Sequence, residues 1–111
     1  MRDITKKILE LNIIKTISVS PSTSNHWEDS DDITILASSH GELILSICGI
    51  SNESDEICVS LNVNELDSEG DIYLNNDLWR LYGNELEILE KIEKTNWNLN
   101  DQLGPYLHLF F

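Results

Sequence analysis

The side chains that most often carry acid–base or nucleophilic chemistry are few in this chain of 111 residues. It contains three histidines, His26, His40 and His108, and two cysteines, Cys48 and Cys58. Nucleophilic catalysis needs a serine, threonine or cysteine beside a base, and none of these histidines lies in a recognised motif. The five glycines are scattered, so they form no glycine-rich phosphate loop. We therefore expect a protein that is not an enzyme.

Metal coordination is the second chemistry to consider, because carboxylates are abundant. The segment from Asp67 to Asp71 superficially resembles a calcium loop, but its acids stand at the wrong positions and no glutamate follows at the twelfth. Two cysteines without a close pair of histidines do not make a zinc site. We expect a solvated loop here, and neither a metal nor another cofactor.

The two cysteines have two interpretations. If the turn between their strands centres on Glu53, Cys48 lies directly opposite Cys58. Opposed residues of neighbouring strands are about 4.5 to 5.5 Å apart, which is within reach of a disulfide. The alternative, which we favour, is a pair of free thiols in a reducing cytosol.

Charge is the most unusual property of the sequence. Twenty Asp and Glu residues against seven Lys and Arg give a formal net charge of −13. The basic residues all lie in the outer thirds of the chain: Arg2, Lys6, Lys7, Lys15, Arg80, Lys91 and Lys94. The 64 residues from Thr16 to Trp79 have 13 acids and no Lys or Arg. This distribution disfavours a nucleic-acid-binding surface, because affinity for phosphates comes mainly from Lys and Arg.

An acidic window of this length favours a docking surface for a basic partner. Clustered like charges weaken the compact state, whereas a negative field accelerates encounter with a positive surface. The alternative is that the acids only keep the protein soluble. Trp27 suits an aromatic anchor within such a surface, or else packs on the core. The predicted partner-binding residues are Trp27, Glu28, Asp29, Asp31, Asp32, Glu53, Asp55, Glu56, Glu65, Asp67, Glu69 and Asp71.

The first half of the chain is predicted to form one helix and three strands. Apolar residues at i, i+4 and i+7 predict a helix from Arg2 to Leu11. β-Branched residues predict a strand from Ile13 to Ser20, followed by a long loop from Pro21 to Asp32. Two further strands, Ile33 to Ser38 and Glu42 to Cys48, follow this loop.

The turn between those two strands sets their register. A three-residue turn at Ser39-His40-Gly41, with Gly41 in the left-handed conformation, pairs residues whose numbers sum to 80. This register places one set of apolar residues on a common face: Ile33, Ile35, Ala37, Leu43, Leu45 and Ile47.

The second half is predicted to continue the sheet and add a helix. Strict alternation predicts a strand from Glu56 to Val63, and a short strand follows from Ile72 to Leu74. A helical turn from Asn76 through Tyr82 then ends at Gly83. The last two predicted elements are a helix from Glu85 to Thr95, with a capping box of Asn84 and Glu87 and a buried stripe of Leu86, Leu89 and Ile92, and a final strand from Pro105 to Phe111.

These elements predict an α+β fold in a single domain spanning residues 1–111. We expect an antiparallel sheet of about five to six strands, with the N-terminal helix and a helix near 85–95 packed on one face. The sequence has no long apolar run and no signal-peptide pattern, so we expect a soluble, cytoplasmic protein that does not bind membranes.

The small size, the acidic window from Glu28 to Asp77 and the α+β pattern together resemble a known class of protein. They are similar to the small acidic immunity proteins of bacterial contact-dependent inhibition and related polymorphic toxin systems. The resemblance implies a non-enzymatic inhibitor that binds the basic, nuclease-like C-terminal domain of a toxin. Its carboxylates would pair with the Lys and Arg side chains that hold the nucleic acid and so occlude the active site.

Two other classes remain open. One is a phage-encoded mimic of nucleic acid, or another acidic protein-binding module, that blocks a DNA-binding protein. The other is a small enzyme, which requires a convergent pocket of titratable residues. The oligomeric state is left open by the sequence.

Overall fold

The chain folds into a five-stranded antiparallel sheet with helices packed on one face, which confirms the predicted α+β class. The computed structural model describes residues 1–21, 30–50 and 55–111. Within these ranges, no helix is long and apolar enough to cross a bilayer. The elements in chain order are α1 (Asp3–Glu10), β1 (Ser18–Pro21), β2 (Asp31–Ala37), β3 (Gly41–Gly49), β4 (Ile57–Leu66), β5 (Ile72–Gly83), α2 (Glu85–Lys94), α3 (Leu99–Leu103) and a 3₁₀ segment (Gly104–Leu109).

The hydrophobic core lies between the sheet and the helices. Alternate residues of the central strands point toward the helices, because successive side chains of a strand face opposite sides. The alternation predicted for β4 is confirmed, since Val59, Leu61 and Val63 are fully buried. The other fully buried apolar residues are Ile33, Leu43, Leu45 and Ile47 from the sheet and Ile88, Ile92 and Leu103 from the helices, with Ile4 and Ile8 of α1 almost as deep.

Both predicted helices are present, and α2 has the predicted capping box. The Asn84 side chain accepts a hydrogen bond from the backbone N–H of Glu87 at 2.9 Å. The predicted buried stripe is wrong at Leu86, which is exposed. Ile88 and Ile92 define the buried side instead, and Leu86 lies two residues, or about 200°, away from Ile88 around the helix.

The β2–β3 hairpin differs from its prediction in register and in turn. Paired residue numbers sum to 78, and after a bulge at Ile35 they sum to 79. The bulge moves Ala37 out of the core, so it is exposed beside Glu42. Gly41 is not left-handed; a Cβ there would lie 3.2 Å from both the Asn64 carbonyl oxygen and Leu109 Cβ. The glycine is therefore needed for close packing.

The predicted short strand and helical turn between Ile72 and Gly83 are wrong, because this whole segment is β5. It is a 12-residue strand that pairs with β4 along its length. Two register shifts, one after Leu61 and one after Glu65, interrupt the pairing. A bulge breaks the two-residue period, which explains why the alternation was not visible in the sequence.

The two ends of the chain also depart from prediction. The segment Pro105 to Phe111 is not a strand; after α3 the chain continues as the 3₁₀ segment, which starts with Gly104-Pro105 and buries Leu109. Proline suits the first turn of a helix because it has no N–H to leave unpaired. Near the N-terminus, only Ser18 to Ser20 of the predicted first strand belong to β1, which also takes in Pro21, predicted as the start of the loop.

Candidate functional site

Nine of the ten acidic residues that the structure describes within the window lie in two groups at opposite ends of the sheet, and the tenth, Asp77, lies between them in β5. The ten residues of β4 separate the groups by about 30 Å, at about 3.3 Å per residue. At the end where β4 turns into β5 lie Glu42, Glu65, Asp67, Glu69 and Asp71. At the end where β2 and β4 begin lie Asp31, Asp32, Asp55 and Glu56. The predicted residues Trp27, Glu28, Asp29 and Glu53, like His26, lie outside the described residues.

The side chain of Asp31 lies in the interior of the fold. It is only 5% exposed, and its Oδ2 accepts hydrogen bonds of 2.7 Å from the Arg2 backbone N–H and from Thr5 Oγ1. Arg2 is the N-cap residue of α1 and provides no side-chain cap of its own. The carboxylate therefore caps α1 from a distant strand, where it also interacts favourably with the helix dipole.

Asp32 faces the opposite side of the sheet. Its carboxylate is half-buried, and Oδ1 accepts a 2.9 Å hydrogen bond from Ser46 Oγ. Burial raises the pKa of Asp32, the nearby charge of Asp31 adds to this, and the Ser46 hydrogen bond opposes it. The two acids are neighbours in the sequence, and the pleat of β2 places their side chains on opposite faces of the sheet.

The hairpin tip, defined here as residues 65–74, presents the first acidic group on a well-formed turn. Asp67 Oδ1 accepts hydrogen bonds from the backbone N–H groups of Glu69 and Asp71 at 2.9 and 3.0 Å. Gly70 has a φ of 84°, a left-handed conformation that suits glycine. Asp67 therefore shapes the turn, while the side chains of Glu69 and Asp71 remain exposed.

The tip combines unpaired negative charge with exposed apolar surface. Among the described residues, no cation pairs with a tip carboxylate, whereas Lys7, Arg80 and Lys94 pair with acids elsewhere. Directly after the turn, Ile72, Tyr73 and Leu74 are all exposed. The negative charge of the Glu65 carboxylate raises the pKa of Tyr73, whose hydroxyl donates a 3.4 Å hydrogen bond to Glu65 Oε1. The tip thus places negative charge directly beside exposed apolar side chains.

The open face of the sheet, opposite the helices, carries rows of small polar residues. One row crosses four strands, because Asp32 pairs with Ser46, Ser46 with Ser60 and Ser60 with Arg80. The next row includes Asn62 opposite Asp77. These side chains, with Ser30, Asn75 and the two cysteines, line a cavity of about 220 Å³. We call it the open-face cavity.

The cysteines lie directly opposite one another in β3 and β4, as the predicted register requires. Both are free thiols, and Cys48 Sγ lies 3.7 Å from the carbonyl oxygen of Cys58. Burial, reinforced by Cys58, raises the pKa of the Cys48 thiol to about 11. Cys48 is therefore protonated at neutral pH, which makes it a weak nucleophile.

The histidines that the structure describes do not form a catalytic arrangement with one another. His40 is exposed in the β2–β3 turn. His108 is exposed in the 3₁₀ segment, where its Nδ1 lies 2.9 Å from the Pro105 carbonyl oxygen. Over the same described ranges, no group of three or more His, Cys, Asp or Glu side chains is arranged to hold a metal ion.

The open-face cavity was not anticipated from the sequence, although a signal for it exists. The outward positions of β3 and β4 include Ser46, Cys48, Cys58, Ser60 and Asn62, all small and uncharged. A fully solvated strand face usually carries longer charged side chains. Small polar residues at these positions are typical of a face that is partly covered, and Ser60 and Asn62 are indeed buried.

No family model matches this chain, and no curated protein or solved structure is significantly similar to it.

Proposed function

We propose that this protein binds a basic protein, a nuclease toxin domain, and occludes its active site without catalysis. The observation that carries this proposal is the hairpin tip, where exposed carboxylates without ion-pair partners in the described chain surround exposed Ile72, Tyr73 and Leu74. The carboxylates would pair with the Lys and Arg side chains that hold nucleic acid. The apolar residues would provide the desolvated centre of the interface.

The size of a standard interface supports the choice of one end of the sheet. Such an interface buries about 800 Å² per partner, which corresponds to a patch about 30 Å across. A patch centred on the tip does not reach Asp55 and Glu56, about 30 Å away along β4. The two acidic groups would therefore not belong to the same contact with a small toxin domain.

The distribution of cations further favours the tip. Lys6, Lys7, Lys91 and Lys94 lie on the two main helices. Lys7 forms an ion pair with Glu85 of α2. The helix layer thus carries charge of both signs, whereas the tip is negative only, and a field of one sign steers a basic partner to it.

The test starts from the protein encoded beside the gene for this chain. Its C-terminal domain is expressed, and its nuclease activity is measured with and without an equimolar amount of this protein. We expect inhibition by the chain. A neighbour that is neither basic nor toxic, or whose activity is unchanged, would contradict the proposal; a prophage location with a DNA-binding target would favour the nucleic-acid mimic.

A charge-reversal pair locates the interface. We expect Glu69→Lys with Asp71→Lys to weaken toxin binding by at least about tenfold, because opposed charges become like charges. The control, Glu10→Lys with Glu93→Lys, alters the net charge by the same amount on exposed helix positions and should leave the affinity nearly unchanged. Equal losses in both variants would indicate a general charge effect and not a defined surface.

A further inference from the structure

The open-face cavity is a built polar site that lies apart from the hairpin tip. We propose that it binds a guanidinium group, as presented by an arginine side chain. This inference concerns the cavity alone and does not depend on the identity of the toxin. It goes beyond occlusion through the tip because it assigns a specific chemical group to a specific set of residues.

The cavity offers more hydrogen-bond acceptors than donors. Asp32 Oδ1 accepts from Ser46, but Asp32 Oδ2 has no hydrogen-bond partner within the described chain. The Asn62 side-chain nitrogen donates to Ser60 Oγ at 2.9 Å, which leaves the Asn62 oxygen as a further acceptor. A ligand that fits these groups must be rich in donors.

Asn62 shows that a partner is missing. It lines the cavity and is only 6% exposed, and its side-chain oxygen accepts no hydrogen bond within the described chain. A polar group that is largely buried is normally hydrogen-bonded. A donor placed in the cavity would give this oxygen a direct hydrogen bond.

The charges of the cavity sum to one uncompensated negative charge. Arg80 is held by the side chains of Tyr82 and Asp77, and its Nε lies 2.6 Å from Asp77 Oδ2. The Arg80–Asp77 pair is neutral as a unit, so the charge of Asp32 remains. A monovalent cation therefore matches the site.

Guanidinium fits better than ammonium for reasons of shape and hydration. It is planar, carries five N–H donors in a fixed fork and is weakly hydrated. The unmatched acceptors, on Asp32 and Asn62, come from two different strands, β2 and β4, so a spread of donors serves them better than a point charge. Cys48 and Cys58 provide an apolar wall beside these acceptors, which suits the weakly hydrated faces of the group. The volume of about 220 Å³ is below that of a pocket for drug-sized ligands and suits a single side chain.

The experiment uses the full chain labelled with ¹⁵N and three probes: N-acetyl-arginine methylamide, free arginine and N-acetyl-lysine methylamide. We expect saturable shifts for the arginine probes in the amides of Asp32, Ser46, Ser60 and Asn62, with binding at about millimolar concentration. The lysine probe should bind at least about tenfold more weakly. Tighter binding of the blocked arginine points to a protein-borne side chain, and tighter binding of free arginine to a small ligand; both outcomes support a guanidinium site.

Matched variants make the test decisive. Asp32→Asn should weaken arginine binding by at least about tenfold while the dispersed spectrum shows that the fold is retained. Asp71→Asn removes the same charge from the hairpin tip and should leave binding unchanged. Equal binding of the lysine probe, equal losses in both variants, or no saturable shift would overturn the proposal. Toxin inhibition that persists in Asp32→Asn after such a result would show that the cavity proposal fails while the proposed function stands.

Discussion

The two faces of the sheet place two adjacent acids in different environments. On the helix-covered face, Asp31 is buried and accepts hydrogen bonds from the N-cap residue Arg2 and from Thr5 in the first turn of α1. On the open face, Asp32 keeps one carboxylate oxygen without a partner in the described chain. One acid is therefore part of the architecture, and the other keeps a carboxylate oxygen that no group of the described chain uses. A map of charge along the sequence cannot separate these roles.

The largest contrast is expected between adjacent residues of β3. Leu45 is fully buried under the helices, whereas Ile44, 8% exposed, lies on the open face. Leu45→Ala should lower the free energy of unfolding by about 3 to 4 kcal/mol, because it leaves a cavity in a packed core. Ile44→Ala should cost about 2 kcal/mol, at the low end for such a substitution, because Ile44 lies outside the core cluster between the sheet and the helices. Urea denaturation measures both, and equal losses would mean that the open face is packed as tightly as the core.

The next contrast is between the two acids. Asp31→Ala should lower the free energy of unfolding by about 2 to 3 kcal/mol, because it leaves the Arg2 N–H and the buried Thr5 hydroxyl without their acceptor. Asp31→Asn retains an acceptor oxygen and should cost less. If Asp31→Ala loses helical circular dichroism at a lower urea concentration than the one that unfolds the whole domain, the stabilising effect of Asp31 acts on α1. An unchanged urea midpoint would contradict the capping role.

A third prediction concerns the thiols of the open face. With a pKa of about 11, Cys48 has about 100-fold less thiolate at pH 8 than a thiol with an ordinary pKa near 9. A more basic thiolate is also more nucleophilic, and this offsets about tenfold of the decrease in reaction rate. We expect Cys48 to react with a disulfide reagent about tenfold more slowly in the native protein than in urea. A non-reduced mass two hydrogens lower than that of the dithiol would instead reveal a disulfide.

The smallest expected effect is the pH dependence contributed by Asp32. Its folded-state pKa is raised by burial, so between the unfolded and folded pKa values the native state binds more protons than the unfolded state. Stability from this group is therefore present at low pH and is lost as the pH rises through the folded pKa. Asp32→Asn should raise the free energy of unfolding at pH 7 by less than about 1 kcal/mol, because solvent screens a half-exposed group. A loss of stability at pH 7 would show that the ionised carboxylate is favourably bound.

Local signals explain which elements were predictable. The alternation of β4 and the Asn84–Glu87 capping box are encoded within a few residues, and both are confirmed. β5 was not predictable, because its two register shifts are set by pairing with β4 and erase the two-residue period. The segment after Pro105 is apolar enough for a strand, and only its packing against the core selects a 3₁₀ helix.

The candidate sites were predictable to different degrees. The negative charge of Glu69 and Asp71 is visible in the sequence, but their separation from Asp55 by the length of β4 requires the topology. The open-face cavity depends on a register that brings Asp32 into one row with Arg80. Such cross-strand rows join residues far apart in the chain, which is why spacing along the sequence does not reveal them.

The strand order has a consequence for the folding of the chain during synthesis. Each strand pairs with the next in sequence, so the sheet can extend as residues emerge. The helix layer is assembled from both ends of the chain, because Lys7 of α1 meets Glu85 of α2 across 78 positions. We expect pulsed hydrogen exchange to show protection of β3 and β4 before α1. The apolar face of a nascent sheet would thus remain open until the last quarter of the chain arrives to cover it.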